Sequence, residues 1–417
     1  MKKRLIAFVL FLALMICMAG VLSACGVASA GSVDLMKGVN ANKVSADVDL
    51  TGSGALAVTD FGVRLFRESM IEGENSLISP ISVIFALSMT ANGAIGESRT
   101  QMEEVLGMPV EELNEYLHTY LNQLPQGDKH KLSLANAIWF KDDESFTVNE
   151  TFLQTNADYY GAGIFKAPFD KGTCADINNW VSKYTDKMID GIINEIPDDD
   201  VMYLVNALAF DAEWKTVYSE RAVREGVFTT EKGEEQQAEF MVGTLYEYLE
   251  DDLATGFVKQ YAGGKYAFVA MLPNEGVSVA EYVQSLTGEH LQKLLAEPEN
   301  IEVHTLLPKF EAEYEADLSE VLKTMGMVLP FMKGLEGVGT STEDIYVAIS
   351  RVVHKTFIAV DEKGTKAGAA TVVKMYGTMD APPKEYKEVY LDRPFVYTIV
   401  DCETNIPIFI GTVMRIE

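Results

Sequence analysis

The five histidines of this chain, His118, His130, His290, His304 and His354, are scattered, and none has a His or Cys partner at metal-ligand spacing. There is no Gly-x-Ser-x-Gly elbow, no His-Glu-x-x-His pair and no Gly-x-x-x-x-Gly-Lys-Ser/Thr loop. Nucleophilic hydrolysis, zinc proteolysis and phosphate cradling therefore lack their starting residues. Gly52-Ser53-Gly54-Ala55-Leu56-Ala57 imitates a dinucleotide-binding fingerprint, but no strand precedes it, and a flexible tether accounts for its glycines. An enzyme is not expected, nor is a cofactor or a metal.

The informative chemistry lies near the C-terminus. There Phe357-Ile358-Ala359-Val360 runs into the acidic turn Asp361-Glu362-Lys363-Gly364, then into Thr365-Lys366-Ala367-Gly368-Ala369-Ala370-Thr371-Val372-Val373. Small residues are unusual in a permanent strand, because they bury little surface and lose much entropy. Taken with period two, one face carries Thr365, Ala367, Ala369, Thr371 and Val373, all able to be buried. The other face carries Lys366, Gly368, Ala370, Val372 and Lys374, with both charges on one side. Composition alone favours a Gly/Ala-rich surface loop, but the same segment can also be a strand slotted into a sheet in a register already decided.

Helices and strands are mixed along the chain rather than segregated. Helical apolar spacing covers residues 55 to 70 and 80 to 91, the second opened by Ser79-Pro80, a cap followed by Pro at the first helical position. Amphipathic helices are predicted over 97 to 106 and 174 to 190. Leu132 to Phe140, Met202 to Phe210, Ala267 to Leu272, Phe395 to Val400 and Ile408 to Val413 read as buried strands. They do not alternate regularly with helices, so an α+β architecture with more than one sheet is expected.

Sixty-two acidic residues face thirty-four basic ones, a formal charge of −28. Nucleic acid and anionic membrane surfaces are poor partners for such a field. Lys2, Lys3 and Arg4 open an N-terminal leader with an apolar run from Leu5 to Leu22 and small residues after it, the pattern of an export signal over residues 1–24. Leu22-Ser23-Ala24-Cys25 resembles the lipobox of bacterial lipoproteins, in which the Cys is acylated. A retained transmembrane anchor is the alternative. Both place the body outside the cytoplasm, and the first makes the chain an exported protein anchored by lipid to the bacterial cell envelope. From Gly26 to about Gly54 the chain is small and polar, with no aromatic residue before Phe61, and residues 25–54 read as lipid site plus flexible tether. The folded body is expected over 55–417. Cys174 and Cys402 remain as two free, buried thiols.

The C-terminal stretch resembles the hinge of the serpin family, metastable protease inhibitors whose exposed reactive loop inserts into a central β-sheet after cleavage. The similarity extends over the whole body in the family's order. Asn75-Ser76-Leu77-Ile78-Ser79-Pro80-Ile81-Ser82, Leu134-Ala135-Asn136-Ala137-Ile138-Trp139-Phe140, Val205-Asn206-Ala207-Leu208-Ala209-Phe210 with Trp214-Lys215, Leu307-Pro308-Lys309-Phe310, Arg393-Pro394-Phe395 and Phe409-Ile410-Gly411 all carry it. The resemblance implies the serpin fold: a multi-helix bundle, three β-sheets and an exposed reactive loop at about 362–392.

By motif match, Ser79, Ser82, Asn206 and His354 form the polar shutter where the central sheet must part, and Trp214, Lys309 and Glu362 form the breach at its top. The hinge comprises Glu362, Gly364, Thr365, Ala367, Ala369, Ala370 and Thr371. The family's spacing, fourteen residues beyond Gly364, sets the reactive bond at Thr378-Met379, with Lys374, Tyr376 and Met379 as alternative cleavage points. The implied partner is a serine protease, elastase-like or subtilisin-like, trapped as a covalent acyl-enzyme by a monomeric inhibitor. A non-inhibitory carrier, chaperone or adhesion module is the second class. Such members commonly have bulky, charged or Pro-containing hinges, whereas here Lys366 is the one charge between Thr365 and Val373, and Pro is absent.

Overall fold

Asn206 lies opposite Asn136 in two neighbouring strands, each at the centre of a largely apolar run, and the architecture is arranged around that pair. The computed structural model describes residues 31–124, 130–342, 347–365 and 385–416. The leader, Cys25, the hinge positions Ala367, Ala369, Ala370 and Thr371, and the bond Thr378-Met379 lie outside the described residues.

Three sheets form among the described residues. The first runs in the spatial order β1 (Val33–Asp34), β5 (Gly163–Ala167), β3 (His130–Lys141), β6 (Met202–Glu213), β15 (Gly364–Thr365), β14 (Arg351–Val360) and β12 (Phe310–Asp317), and β6 also pairs directly with β14. The second runs β16 (Tyr386–Tyr390), β11 (Glu299–Pro308), β8 (Glu235–Glu250), β9 (Ala254–Gln260), β10 (Tyr266–Pro273), β17 (Phe395–Asp401), β18 (Pro407–Val413) and β2 (Ser76–Ile78), with β7 (Val223–Thr229) joined to β8. β4 (Phe146–Val148) and β13 (Gly339–Ser341) make the third. Helices α1 (Gly52–Ser69), α2 (Pro80–Ala91), α3 (Gly96–Leu106), α4 (Val110–Gln123), α5 (Glu150–Tyr160), α6 (Lys171–Tyr184), α7 (Val279–Ser285), α8 (Gly288–Ala296) and α9 (Ser319–Thr324) complete an α+β fold.

Every residue of α2 is buried, and Ser79 caps it by accepting from the Ser82 N–H. That helix lies in the main core with Leu204, Leu208 and Phe210 of β6. The alternate residues Tyr203, Val205 and Ala207 face a second, smaller core with Ala135, Ala137 and Trp139 of β3, and with Cys174, Ile177 and Val181 of α6. β6 thus reads as a near-continuous apolar run because both its faces are covered.

Three expectations need correction. The helix predicted to reach residue 190 stops at Tyr184, and Asp186 and Lys187 take left-handed φ values of 50° and 61°. The segment read as a tether through Gly54 is held along the body from Ser32 onward. Ser32 donates to Asp176, Val33 and Asp34 pair with β5, the Gln154 amide reaches the Asn40 carbonyl at 2.9 Å, and Tyr116 OH reaches the Leu50 carbonyl at 2.7 Å. Small polar composition concealed this because most of these contacts engage backbone groups. Gly52 already belongs to α1, and a Cβ at Gly54 would collide with the Tyr116 ring. Close packing, and neither a tether nor a cofactor, explains that glycine. Cys174 is free and buried as expected, whereas Cys402 is free but only half-buried. Burial pushes the Cys402 thiol up to about 12, and the charge of Asp401 adds to it.

Candidate functional site

The seam between β6 and β14 is parallel, running from Arg351 opposite Tyr203 to Phe357 opposite Ala209. Above it the two strands are separated by a wedge. β14 ends at Val360, and the Asp361 carboxylate accepts from the Lys363 and Gly364 N–H groups at 2.7 and 3.1 Å. The chain thereby reverses, so that Gly364 and Thr365 pair antiparallel with Glu213 and Ala212 of β6, while Thr365 also pairs with Val360. A side chain at Gly364 would overlap the Ala212 carbonyl, which is why the turn residue must be glycine. Thr365, which the family's mechanism makes the first residue in, is already in the sheet and fully buried, its hydroxyl 2.5 Å from Tyr261 OH.

The breach residues meet at this wedge. Trp214 donates its backbone N–H to the Lys363 carbonyl and its indole Nε1–H to the Asp361 carbonyl, each at 2.8 Å, and Tyr218 N–H donates to the Glu362 carbonyl at 2.9 Å. The Trp214 ring stacks on Tyr261 with centroids 4.4 Å apart. Lys309 Nζ lies 2.9 Å from Glu362 and 3.3 Å from Glu239. Burial opposes the Lys309 charge, but these carboxylates outweigh it and raise its pKa, while the hydrogen bond from Lys309 lowers that of Glu362. A pair this accessible contributes ~1 kcal/mol or less.

The shutter residues meet about half-way down the seam. Ser79 N–H donates to His354 Nε2 at 3.2 Å, and His354 Nδ1 lies 2.5 Å from Asn206 Oδ1. Since the first partner is a donor and the second an acceptor, the ring is neutral with its proton on Nδ1. Ser82 Oγ donates to Asn206 Oδ1 at 2.8 Å, and the Asn206 amide donates to the Ser82 carbonyl and to Asn136 Oδ1. Ser79, Ser82, Asn206 and His354 are fully buried. The network therefore couples α2, β3, β6 and β14 through bonds that can break and re-form as strands move.

Asn136, Tyr261 and Glu239 belong to this arrangement and were not singled out from the sequence. A signal existed for Asn136, since each of two apolar strand runs carries one asparagine at its centre. None existed for Tyr261, which is 104 residues from Thr365. Among the described residues no three His, Cys, Asp or Glu side chains gather to hold a metal, and no helix is long and apolar enough to cross a membrane.

Burial pushes His354 down to about 3, against about 6.5 for a free imidazole. As pH falls from about 6.5 toward 3, the unfolded chain takes up a proton that the native chain refuses. This contribution to stability is complete above pH 6.5 and is lost progressively below it, amounting to a few kcal/mol (~1.4 per pH unit). Urea midpoints measured from pH 7.5 to 4 should fall less steeply in His354→Gln than in the parent protein, although the variant starts lower.

A β-sheet with a parallel seam, a wedge at its top and a buried polar lock within it defines the class. The chain belongs to the serpin family: the family model described as Serpin (serine protease inhibitor) matches residues 56–416. The thermophilic serpin tengpin in its native state is similar, with a TM-score of 0.88 and 46% identity over 93% of this chain and 100% of that one. Tengpin in its latent state gives 0.78 and 44% over 89% and 99%. An uncharacterized serpin-like protein of Thermococcus kodakarensis is 28% identical over 370 residues, 86% of this chain and 85% of its own. Serpins in general inhibit proteases rather than catalyse reactions.

Proposed function

We propose that this serpin is a suicide-substrate inhibitor of extracellular serine proteases, elastase-like or subtilisin-like. The observation that carries the reading is the antiparallel wedge of Gly364 and Thr365 above a parallel seam. A strand zipped down from that wedge replaces one parallel ladder by two antiparallel ones, which pair better per residue. Continuing the register sets Ala367 against Phe210, Ala369 against Leu208, Thr371 against Asn206 and Val373 against Leu204. Phe210, Leu208 and Leu204 belong to the main core, so the small face of the hinge goes inward. On the opposite face Lys366 would lie against Asp211. Met375 would reach Met202, where β6 begins, having travelled ~35 Å at about 3.3 Å per residue.

Thr378 then falls just past the far end of the sheet, which supports the bond Thr378-Met379. The serine of the protease attacks the Thr378 carbonyl, an ester forms, and Met379 leaves as the new amine. Insertion carries the acylated enzyme away before water can release it. Mixing the purified protein with pancreatic elastase or subtilisin should give a band near the summed masses on a denaturing gel. Cleavage alone, with protease activity retained across both, would overturn the reading in favour of a carrier or chaperone. On the same reading the body is a monomer held outside the cytoplasm by acylated Cys25.

A further inference from the structure

Lys259 is an unusual residue for its place. It lies in β9, is 4% exposed, and among the described residues pairs with no carboxylate. Its Nζ donates to the Thr216 carbonyl at 3.1 Å and sits 4.1 Å from the centre of the Tyr218 ring and 5.0 Å from that of Trp214. A buried charge without a counter-ion opposes folding, and burial alone pushes this ammonium down to about 7. What offsets the cost is the electron-rich faces of the two rings and one carbonyl dipole.

Those two rings belong to the residues that hold the root of the hinge. Trp214 and Tyr218 donate to the carbonyls of Asp361, Glu362 and Lys363, three consecutive residues of the turn. The polar and cationic contacts of Lys259 all fall on residues 214–218. We infer that Lys259 is a positioning residue of the gate: its ammonium fixes Trp214 and Tyr218 so that they grip residues 361–363, and it sets how readily the uncleaved hinge is released. The consequence for trapping rests on the inhibitor reading; the grip itself does not.

The test compares the parent protein with Lys259→Met and Lys259→Arg at pH 6, where the ammonium is retained. In Lys259→Met, backbone amide exchange in the peptide spanning 213–219 should quicken at least fivefold. Conversion of the intact protein, incubated warm, to a form resistant to urea should quicken similarly. The melting temperature should stay level or rise, because a buried charge has gone. Lys259→Arg, which keeps a cation over the rings, should restore both rates to within twofold. Unchanged exchange and conversion in Lys259→Met would overturn the inference. So would faster rates accompanied by a lower melting temperature, or a folded Lys259→Arg that behaves like Lys259→Met. Should Lys259→Met fail to fold, Lys259→Gln reads the same comparison. None of these measurements involves a protease, so absence of a covalent complex in the parent protein would remove the inhibitor reading and leave this result standing.

Discussion

Ala369→Arg should be cut by elastase at the parental rate yet trap none of it, converting an inhibitor into a substrate. On the inhibitor reading, continuing the register of Gly364 and Thr365 would bring position 369 against Leu208, whose side chain is fully buried in the main core. Insertion would have to desolvate a guanidinium there, at an effective cost of several kcal/mol, and water would reach the ester first. Thr365→Arg, the substitution that the hinge pattern alone recommends, is a poorer probe. Thr365 is already in the sheet with its hydroxyl on Tyr261, so the native state would suffer as well. Nicking the parent protein at Thr378 should add about ten paired residues to the strand that Gly364 and Thr365 begin. At ~1 kcal/mol for each new hydrogen bond that is roughly 10 kcal/mol, and at about 2 °C per kcal/mol in a large domain the melting temperature should rise ~20 °C. Nicked Ala369→Arg should gain nothing. A nicked parent protein that melts no higher than the intact one would show that no energy is stored.

Asn206→Leu should be the most damaging single change in the seam. Its side chain accepts from the Ser82 hydroxyl and His354 Nδ1 and donates to Asn136 Oδ1. Its removal leaves the fully buried His354 Nδ1–H and the half-buried Asn136 carboxamide without that partner, and the Ser82 hydroxyl with the Ser79 carbonyl alone. Each orphan costs ~1–3 kcal/mol, so a loss of about 4 kcal/mol and a drop of roughly 8 °C are expected. The damage should also be directional. With β6 and β14 no longer locked, the uncleaved protein should convert or self-associate on warming, which size exclusion would detect. Adding Asn136→Leu should cost less than it does alone, because one orphan disappears with its partner. Strict additivity would show that the two asparagines do not act together.

The sequence exposed the seam better than it exposed the gate. Ser79, Ser82, Asn206 and His354 came from motif resemblance, and the pattern supports them, because polar residues within apolar runs must find one another when buried; Asn136 bears that mark. The gate gives no such mark. Trp214 and Lys309 also came from motif resemblance, but Lys259 sits in β9 and Tyr261 just past its end, and their role emerges only when that strand is laid against the end of β6. Regular elements were legible where periodicity was strong, so that the helix expected over 80 to 91 is α2 to the residue. The overrun of α6 and the misread segment before Phe61 have one cause. Left-handed turns and backbone docking leave little trace in side-chain composition.

β1 adds a geometric consequence. Val33 lies opposite Lys166, Lys166 opposite Phe140, and Phe140 opposite Met202, so the chain leaves the sheet at the pole remote from the wedge. On the lipidated reading, only residues 26–31 separate Cys25 from the first docked residue, a span of at most ~25 Å. The bait would then point out into the surroundings while the body stands on its other end. Each captured enzyme, swung through the length of β6, would finish against the lipid surface, crowded between its captor and the cell.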